Sequence, residues 1–465
     1  MDEVNRGLKK KGGDLVNDAQ LKKMEQTPMF KLVVTMSIPA VLSMLVQSLY
    51  NIVDSIFVAQ IGEKALTAVS LAFPIQTLIV GVAVGTGIGL NSLIARSLGE
   101  KNIEKANEVA GQGIWLAILS WIVFLAFGLF GTKAFFDFFT TDQAVVAVGT
   151  QYLGLVTTFS IGVFIQITIE KIFQGSGNMV YPMMMQLVGA IINIILDPIF
   201  IFGWFGVPAM GVAGAAIATV TGQFVAAGIS LYLILKRSKG IKIKLGRFNL
   251  DKTLVKEIYR VGFPSILMQS IMSFLVIILN NLLIQFSQTS VSVLGIYFKL
   301  QSFVFMPVFG LTQGVMPIMG YSYGAKNKKR LIECLKWSTL LVLVIMSAGT
   351  ILFMGYPKQL IQMFNGTEEM IVMGSLALRI ISSTFVCAGI SIVMSTLFQA
   401  MGDGTKSLVI SVIRQILILL PVAVVLSYRY QETGVWIAFS VAEVCALILS
   451  LLFFRVKYEK EISKM

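Results

Sequence analysis

SLGEKNIEKANE, at residues 97–108, recurs in altered form as SYGAKNKKRLIE at residues 322–333, an offset of 225 residues. The same offset relates pairs of identical residues elsewhere in the chain: Pro39 and Pro264, Gln76 and Gln301, Gly85 and Gly310, Gly89 and Gly314, Gln174 and Gln399, and Gly177 and Gly402. One fixed offset across five segments indicates a duplication. The chain is therefore predicted to consist of two homologous halves.

Both halves are strongly apolar. Hydrophobic residues make up 56% of the 465 residues and charged residues only 13%, whereas soluble domains are about 25% charged. Apolar runs of roughly 20 to 28 residues recur throughout, which is the length that a helix needs to cross a bilayer. Because lipid tolerates only helices or closed barrels, and barrel strands are far shorter, the sequence predicts an all-α integral membrane protein.

Twelve spans are predicted, six in each half, at residues 33–60, 66–94, 108–130, 144–170, 180–203, 211–235, 258–285, 291–318, 333–355, 370–398, 406–428 and 433–455. An even number in each half gives both halves the same polarity, so a pseudo-two-fold axis along the membrane normal should relate two six-helix lobes around a central cavity. The predicted units are an N-tail (1–32), a leading lobe (33–235), a basic linker (236–257), a trailing lobe (258–455) and a C-tail (456–465).

Lysine and arginine residues are distributed unevenly between the two sides. Twenty-eight flank one set of span ends, which includes both tails and the linker, and only four flank the other: Lys64, Lys133, Lys358 and Arg429. Basic loops of membrane proteins stay in the cytoplasm, so both termini are predicted to be cytoplasmic, in a bacterial-type plasma membrane. The net charge of +13 follows from this bias and from contact with anionic lipid; no nucleic-acid partner is predicted.

The chain contains no histidine, which removes Ser-His-Asp hydrolases, HExxH zinc proteases and histidine-ligated haem or copper. Cys334, Cys387 and Cys445 have no CxxC spacing and are interpreted as small core residues. The sequence also lacks a Walker A loop and a DDxxD motif. No cofactor is predicted. A transporter is favoured over an enzyme, and a passive channel is the remaining alternative.

Charged side chains within spans cost at least about 2.5 kcal/mol each and are functional candidates by default. Asp197 lies in NIILDP (193–198), and Asn193 precedes it by one turn on the same helical face. Counted from the outer loops at 1.5 Å per residue, Asp54, Asp197 and Thr219 all fall roughly 10 to 14 Å below the outer surface. We expect the four side chains to meet.

Two carboxylates, an amide and a hydroxyl supply hard oxygen ligands for a small cation such as Na+, or form an acid pair in which repulsion and burial favour a bound proton. The alternative is a polar cluster that only holds three helices together. At the offset of 225, however, Leu279, Ile418 and Val422 replace Asp54, Asn193 and Asp197. A purely structural cluster should be needed in both lobes, so this asymmetry favours the ion site.

Other polar residues of the trailing lobe are candidates for a substrate cavity. They are Gln269, Lys299, Gln301 and Glu443. For Lys299 and Glu443, a structural ion pair or a lysine that extends along its stem to the interface is an equally good interpretation. Arg379 and Arg414 are expected to pair within helices or to reach interfacial lipid.

Several motifs carry a family resemblance: YNIVDSIFVAQIGEKALTAVS (50–70), FQGSGN (173–178), NIILDPIFIFG (193–203) and GVAGAAIAT (211–219). Over residues 30–457 the chain resembles the multidrug and toxic-compound extrusion (MATE) family, in its MepA-type branch close to the DinF-like group. The resemblance implies a cation-coupled antiporter with two six-helix lobes that exports amphipathic, mostly cationic drugs by alternating access.

The resemblance also implies a cation site in the leading lobe, built from Asp54, Asn193, Asp197, Thr219 and the carbonyl group of Ala215. NorM-like members add acidic residues in spans 7 and 10, but residues 262–285 and 370–398 contain none. Coupling is therefore expected to rest on the leading lobe alone.

The coupling ion stays open between H+ and Na+, with H+ favoured because the drug exporters that the chain resembles are usually assigned so. Two alternative functions are a flippase for lipid-linked precursors within the same superfamily and, from a different class, an intramembrane enzyme such as a prenyltransferase. The expected partners are small amphipathic cations and membrane lipid, and the protein is expected to be a monomer.

Overall fold

The computed structural model describes residues 22–236, 250–364 and 366–465. Most of the predicted linker, residues 237–249, and the first 21 residues of the predicted N-tail lie outside these ranges. Within them the chain forms helices and turns without a strand, and this confirms the all-α prediction.

The leading lobe contains eight helices from residue 29 onwards. They are α1 Met29–Ile61, α2 Glu63–Gly99, α3 Ile103–Phe130, α4 Thr132–Phe139, α5 Gln143–Thr158, α6 Ile161–Gly175, α7 Val180–Phe202 and α8 Gly211–Lys236, with a short 3-10 turn at Trp204–Gly206.

The trailing lobe repeats this order. Its helices are α9 Lys252–Leu283, α10 Gln288–Gly324, α11 Lys328–Gly355, α12 Pro357–Gln362, α13 Glu368–Ser382, α14 Phe385–Ala400, α15 Gly404–Val412 and α16 Leu420–Lys460, with a π-helical stretch at Ile413–Leu419 and a final 3-10 turn at Ile462–Lys464.

The offset of 225 holds in the backbone as well as in the sequence. Helices α2 and α10 begin and end at equivalent residues, as do α3 and α11. The turns before α3 and α11 place Lys101 and Lys326 at φ 60° and 52°, and the next residue of each turn, Asn102 or Asn327, caps the helix by accepting a backbone N–H at 3.0 or 3.1 Å. The predicted duplication is therefore confirmed at the level of individual turns.

The described helices account for twelve spans. Nine are long and apolar enough to cross a membrane as single units, and two bent pairs, α5 with α6 and α13 with α14, bring the number to eleven. The unit at Gly404–Lys464 has 61 residues, about 90 Å of helix, or three times the hydrocarbon thickness. It is broken at Gln431 (φ 50°, ψ −135°), and Gly434 packs back on the backbone of Leu426, so it contains two antiparallel spans.

Two features of the spans differ from the prediction. Spans 4 and 10 are not single helices but bend by 42° and 47° at the breaks after Thr158 and Ser382. Span 4 also continues to Gly175, beyond its predicted end at residue 170. In addition, short helices α4 and α12 follow spans 3 and 9, where no helix was predicted; exposed phenylalanines such as Phe138 on α4 suit the membrane interface.

The two ends of the bundle differ in charge. We call the end with the described termini the basic end and the opposite one the far end. Connections between helices at the basic end lie at residues 100–102, 176–179, 325–327 and 401–403, and those at the far end lie at 62, 131–142, 203–210, 284–287, 356–364 and the break at Gln431.

The lobes contact each other in the halves of their helices nearest the basic end. Small residues allow these contacts: Gly85 and Gly89 on α2 pack against the backbone of α9, and Gly310 and Gly314 on α10 pack against the backbone of α1. A side-chain carbon on Gly310 would lie 2.5 Å from the Cα atom of Val41. Close approach of helix backbones through glycine is the usual way in which membrane helices associate.

Candidate cation site and substrate-facing residues

Three helices of the leading lobe, α1, α7 and α8, pack against one another and bring the predicted cation-site residues together. Asp54 lies on α1, Asn193 and Asp197 lie on α7, and Thr219 lies on α8. Asp197 is fully buried, Asn193 is 3% exposed, and Asp54 and Thr219 are half-buried. The depth estimate made from the sequence therefore agrees with the packing.

Asn193 connects the members of this pocket. Its amide nitrogen donates to Asp197 Oδ1 at 3.4 Å and to Thr219 Oγ1 at 3.2 Å. Helix α1 brings Asp54 to the same pocket, because it packs against both α7 and α8. The two carboxylates thus share one apolar environment, where two unneutralised negative charges are strongly unfavourable. A bound proton or a small cation would relieve this repulsion.

Tyrosine residues complete the wall of the pocket, and the sequence interpretation missed them. Tyr50 precedes Asp54 by one helical turn and lies near Thr219. Tyr152, on α5, accepts a hydrogen bond at 2.8 Å from the side chain of Gln76 on α2. The spacing of Tyr50 from Asp54 in YNIVD could have indicated its position, but the link between Gln76 and Tyr152 has no local signature.

Glycines set the close packing of α7 and α8. A side-chain carbon on Gly214 would overlap the carbonyl group of Phe200, and one on Gly222 would lie 2.9 Å from the carbonyl oxygen of Gly189 and 3.4 Å from Asn193 Cβ. Ala215, whose carbonyl group the resemblance implied as a ligand, is buried on the same helix. Small residues thus allow α8 to bring Thr219 within reach of Asn193.

The corresponding positions of the trailing lobe are apolar. Leu279 on α9 is fully buried, and Ile418 and Val422 are half-buried and pack against the apolar core. The charged residues of this lobe lie elsewhere: Arg414 Nη1 is 3.2 Å from Glu443 Oε1, and both side chains are about one fifth exposed. The prediction that Arg414 pairs within the helices thus agrees with the structure.

The other predicted cavity residues do not form one cluster with Glu443. Lys299 is exposed, and its ammonium group lies 6.0 Å from the centre of the Phe364 ring. Gln301 is half-buried on the same helix. Gln269 lies on α9 at the lobe interface, where its Cβ atom would be 3.6 Å from a side-chain carbon at Gly81. Arg379 is exposed at the end of α13.

A second charged cluster in the leading lobe was also missed. Glu170 and Lys171 on α6 are 3% and 4% exposed and hydrogen bond to glutamine side chains. The predicted span 144–170 ends between the two residues, and neither was among the predicted site residues. An adjacent acid and base inside the apolar run ITIEKIFQG (167–175) was the available signal.

Comparison with known proteins identifies this arrangement. The sequence model of the MatE family matches residues 39–199 and 264–425, once in each lobe. The chain belongs to the MatE family. The duplication explains why the same model matches twice, at positions that begin 225 residues apart.

Curated MatE relatives match over nearly the full chain. The multidrug export protein MepA of Staphylococcus saprophyticus is 25% identical over 451 residues, which cover 97% of this chain and 99% of the relative. A probable multidrug resistance protein NorM of Thermotoga maritima is 28% identical over 444 residues and covers 93% of this chain and 94% of the relative. The resemblance to the MATE family and to MepA is thus confirmed.

Solved MatE structures share the whole fold. A multidrug resistance MATE family transporter of the MOP superfamily in an outward-facing conformation superposes with a TM-score of 0.89 at 26% identity, covering 95% of this chain and 98% of that one. Together with the helix count, this makes the protein a multi-pass membrane transporter, as predicted, and not an enzyme.

Proposed function

We propose that this protein is a cation-coupled antiporter that exports amphipathic, mostly cationic drugs. The observation that carries the proposal is the pocket in which Asp54, Asn193, Asp197 and Thr219 converge from three helices. The names of the MepA and NorM relatives, which refer to multidrug export and resistance, support drugs as the substrate class.

The pocket would couple transport because its two carboxylates require neutralisation. A proton on one carboxyl group, or a small cation held by carboxylate and hydroxyl oxygens, lowers the electrostatic cost of the buried pair. We favour H+ as the coupling ion and keep Na+ as the alternative. The trailing lobe carries apolar residues at the equivalent positions, so coupling is assigned to the leading lobe.

We further propose that residues 33–235 and 258–455 move as two lobes that rock about their shared interface. The basic end faces the cytoplasm of a bacterial plasma membrane in this proposal, as the distribution of lysine and arginine indicates. The glycine contacts near the basic end then correspond to an arrangement that is closed toward the cytoplasm. The similarity of this protein to the outward-facing transporter supports the assignment of a conformation that is closed toward the cytoplasm.

The flippase alternative requires a strongly cationic cavity, and one observation weighs against it. Arg414, which is about one fifth exposed, is paired with Glu443 at 3.2 Å. The exposed side chains of Lys299 and Arg379 contribute little to a buried cationic site. A cationic drug is therefore the preferred substrate class.

Dye accumulation in everted vesicles tests the proposal. The cytoplasmic side of the protein faces the medium in these vesicles, so export moves a fluorescent amphipathic cation from the medium into the vesicle, and the proton and sodium gradients are collapsed separately with ionophores. We expect uphill dye movement to stop when the proton gradient is lost and to continue when the sodium gradient is lost. The reverse pattern would assign Na+, and uphill movement in the absence of both gradients would refute cation-coupled antiport.

A further inference from the structure

A buried polar cluster lies between the lobes, away from the cation pocket. Its members are Glu170, Lys171 and Gln174 on α6, Gln186 on α7, and Gln313 on α10. Four of the five belong to the leading lobe, and Gln313 alone belongs to the trailing lobe. The cation pocket and its proposed coupling role make no use of these residues.

Within the leading lobe, amide groups stabilise the two charges. The Gln174 side-chain nitrogen donates to Glu170 Oε1 at 2.9 Å, and that of Gln186 donates to both carboxylate oxygens at 3.1 Å. Lys171 Nζ donates to Gln174 Oε1 at 2.9 Å but lies 4.0 Å from the Glu170 carboxylate. Glu170 is thus well supplied with donors from its own lobe, whereas the ammonium group of Lys171 has a weaker set of acceptors there.

The trailing lobe provides the missing acceptor. Gln313 Oε1 accepts a hydrogen bond from Lys171 Nζ at 3.0 Å and lies 3.3 Å from the Gln174 side-chain nitrogen. Its own amide nitrogen lies 3.4 Å from the sulfur of Met44 on α1. Gln313 therefore inserts between two helices of the opposite lobe and bonds directly to a buried charge.

Lys171 has little freedom to turn elsewhere while the lobes are closed. A side-chain carbon on Gly87 of α2 would lie 2.5 Å from Lys171 Cγ, so the lysine stem is held against the α2 backbone. Lys171 is 4% exposed and Gln174 is 2% exposed. An ammonium group buried to this degree loses most of its hydration, and each remaining acceptor is important for its stability.

We infer that Lys171 and Gln313 are positioning residues of the transport cycle, whose hydrogen bond stabilises the arrangement closed at the basic end. This inference rests on the proposed alternating access of the two lobes. When the lobes part at the basic end, Lys171 exchanges Gln313 for water, so the bond contributes only to the closed arrangement. Replacing Gln313 by an apolar residue should then favour the open arrangement.

Spin labels on the two lobes measure this equilibrium. Glu108 on α3 and Lys329 on α11 are exposed positions of different lobes and are suitable sites for cysteine labelling after the three native cysteines are replaced. In Gln313→Leu we expect the ratio of open to closed populations to rise roughly tenfold, as the loss of one hydrogen bond to a charged group predicts. Gln313→Glu keeps an acceptor for Lys171 and should retain the closed distribution. Gln288→Leu, at the exposed far end of the same helix, serves as the matched control.

A double-variant comparison separates this role from general destabilisation. Glu170→Gln combined with Lys171→Met removes both charges, and adding Gln313→Leu to that pair should then change the distance distribution no further. Suppose that the wild type opens under a drug or ion gradient and that Gln313→Leu gives the same distance distribution as the wild type. This result would overturn the inference and leave alternating access intact. If neither protein opens under any gradient, both the inference and the proposed mechanism are wrong.

Discussion

Gly99 and Gly324 lie at one crossing between the lobes, and each faces the backbone of the helix that carries the other. A side-chain carbon on Gly99 would overlap the carbonyl oxygen of Tyr321, and one on Gly324 would overlap that of Arg96. Tyr321 is the counterpart of Arg96 at the offset of 225, so the crossing is symmetric. Closure of the basic end therefore depends on the absence of a side chain at both positions.

Gly99→Ala and Gly324→Ala should each shift the lobes toward the arrangement open at the basic end. The added methyl group cannot be accommodated without backbone movement, and overpacking of this kind costs about 1 to 3 kcal/mol. Distances between spin labels at Glu108 and Lys329 report the shift. Gly228→Ala is the control, because no atom lies within 4 Å of its would-be side chain; an equal shift in that variant would contradict the explanation.

Asp54→Asn and Asp197→Asn should each abolish gradient-driven dye efflux while membrane expression stays normal. Asparagine keeps the shape of the side chain but removes the charge that a proton or cation neutralises. We expect efflux at least tenfold below wild type. Asp142→Asn is the matched control, since that carboxylate lies outside the spans at the far end and pairs with Lys64 at 3.1 Å. Drug resistance at the wild-type level in either pocket variant would remove the pocket from the mechanism.

Asn193→Leu should weaken coupling-ion binding by about tenfold without abolishing transport. The amide nitrogen of Asn193 links Asp197 with Thr219, and hydrogen bonds to charged groups contribute roughly 1.5 to 3 kcal/mol. The ion concentration that gives half-maximal efflux measures the change. Asn281→Leu, an exposed amide near the end of α9, should leave that concentration unchanged. A variant with unaltered ion dependence would show that Asn193 is only structural.

Lys299→Met should change the relative efflux rates of different dyes and leave the ion dependence intact. The Lys299 ammonium group is exposed and lies 6.0 Å from the Phe364 ring centre. Lys299 belongs to the trailing lobe, whereas the cation pocket lies in the leading lobe. Lys299 is a predicted residue of the substrate cavity, where a positive charge disfavours cationic substrates, so its removal should raise efflux of the more highly charged dyes severalfold. Loss of gradient dependence in this variant would instead assign Lys299 to coupling.

Asp403 at the basic end should stabilise the fold in a pH-dependent manner. Burial by itself raises the pKa of its carboxyl group, but the hydrogen bond from Lys406 and the charge of Lys457 outweigh burial and hold the pKa below its ordinary value. The folded state thus binds this proton less readily than the unfolded state, and the stabilisation is present near neutral pH and lost as the pH falls below about 4. Asp403→Asn should lower the melting temperature at pH 7, and its difference from wild type should shrink on acidification. A difference that does not depend on pH would contradict this assignment.

Much of the fold follows from local sequence properties. Apolar run length indicated the spans, and the pairing of SLGEKN with SYGAKN indicated two equivalent turns that the backbone reproduces at Lys101 and Lys326. The broken spans were not predicted from run length, because each apolar run as a whole is long enough for one span and contains no proline at the breaks after Thr158 and Ser382; the local signal was a short Ser/Thr cluster, TTFS at 157–160 and SSTF at 382–385. Hydropathy reports where a segment partitions and is insensitive to a bend within it.

The candidate site was predictable in part. Asp54, Asn193, Asp197 and Thr219 were predicted to meet because charges are rare in lipid and because depth can be counted along a helix. Tyr152 and its hydrogen bond to Gln76 were missed, as were Glu170 and Lys171. The hydrogen bond between Tyr152 and Gln76 depends on the rotation of α5 relative to α2. The position of Glu170 and Lys171 within the span depends on the residue at which span 4 ends, which sequence patterns locate only to within a few residues.

Twelve spans, the duplication and the pair of aspartates in the leading half alone could all be predicted from the sequence, because run length, offset and residue type can be counted along the chain. The hydrogen bond from Lys171 to Gln313, 142 residues away in the other lobe, and the close approach of the lobes at two glycines became visible only in the folded chain. Such contacts depend on the tilt and rotation of whole helices, which packing between distant segments sets.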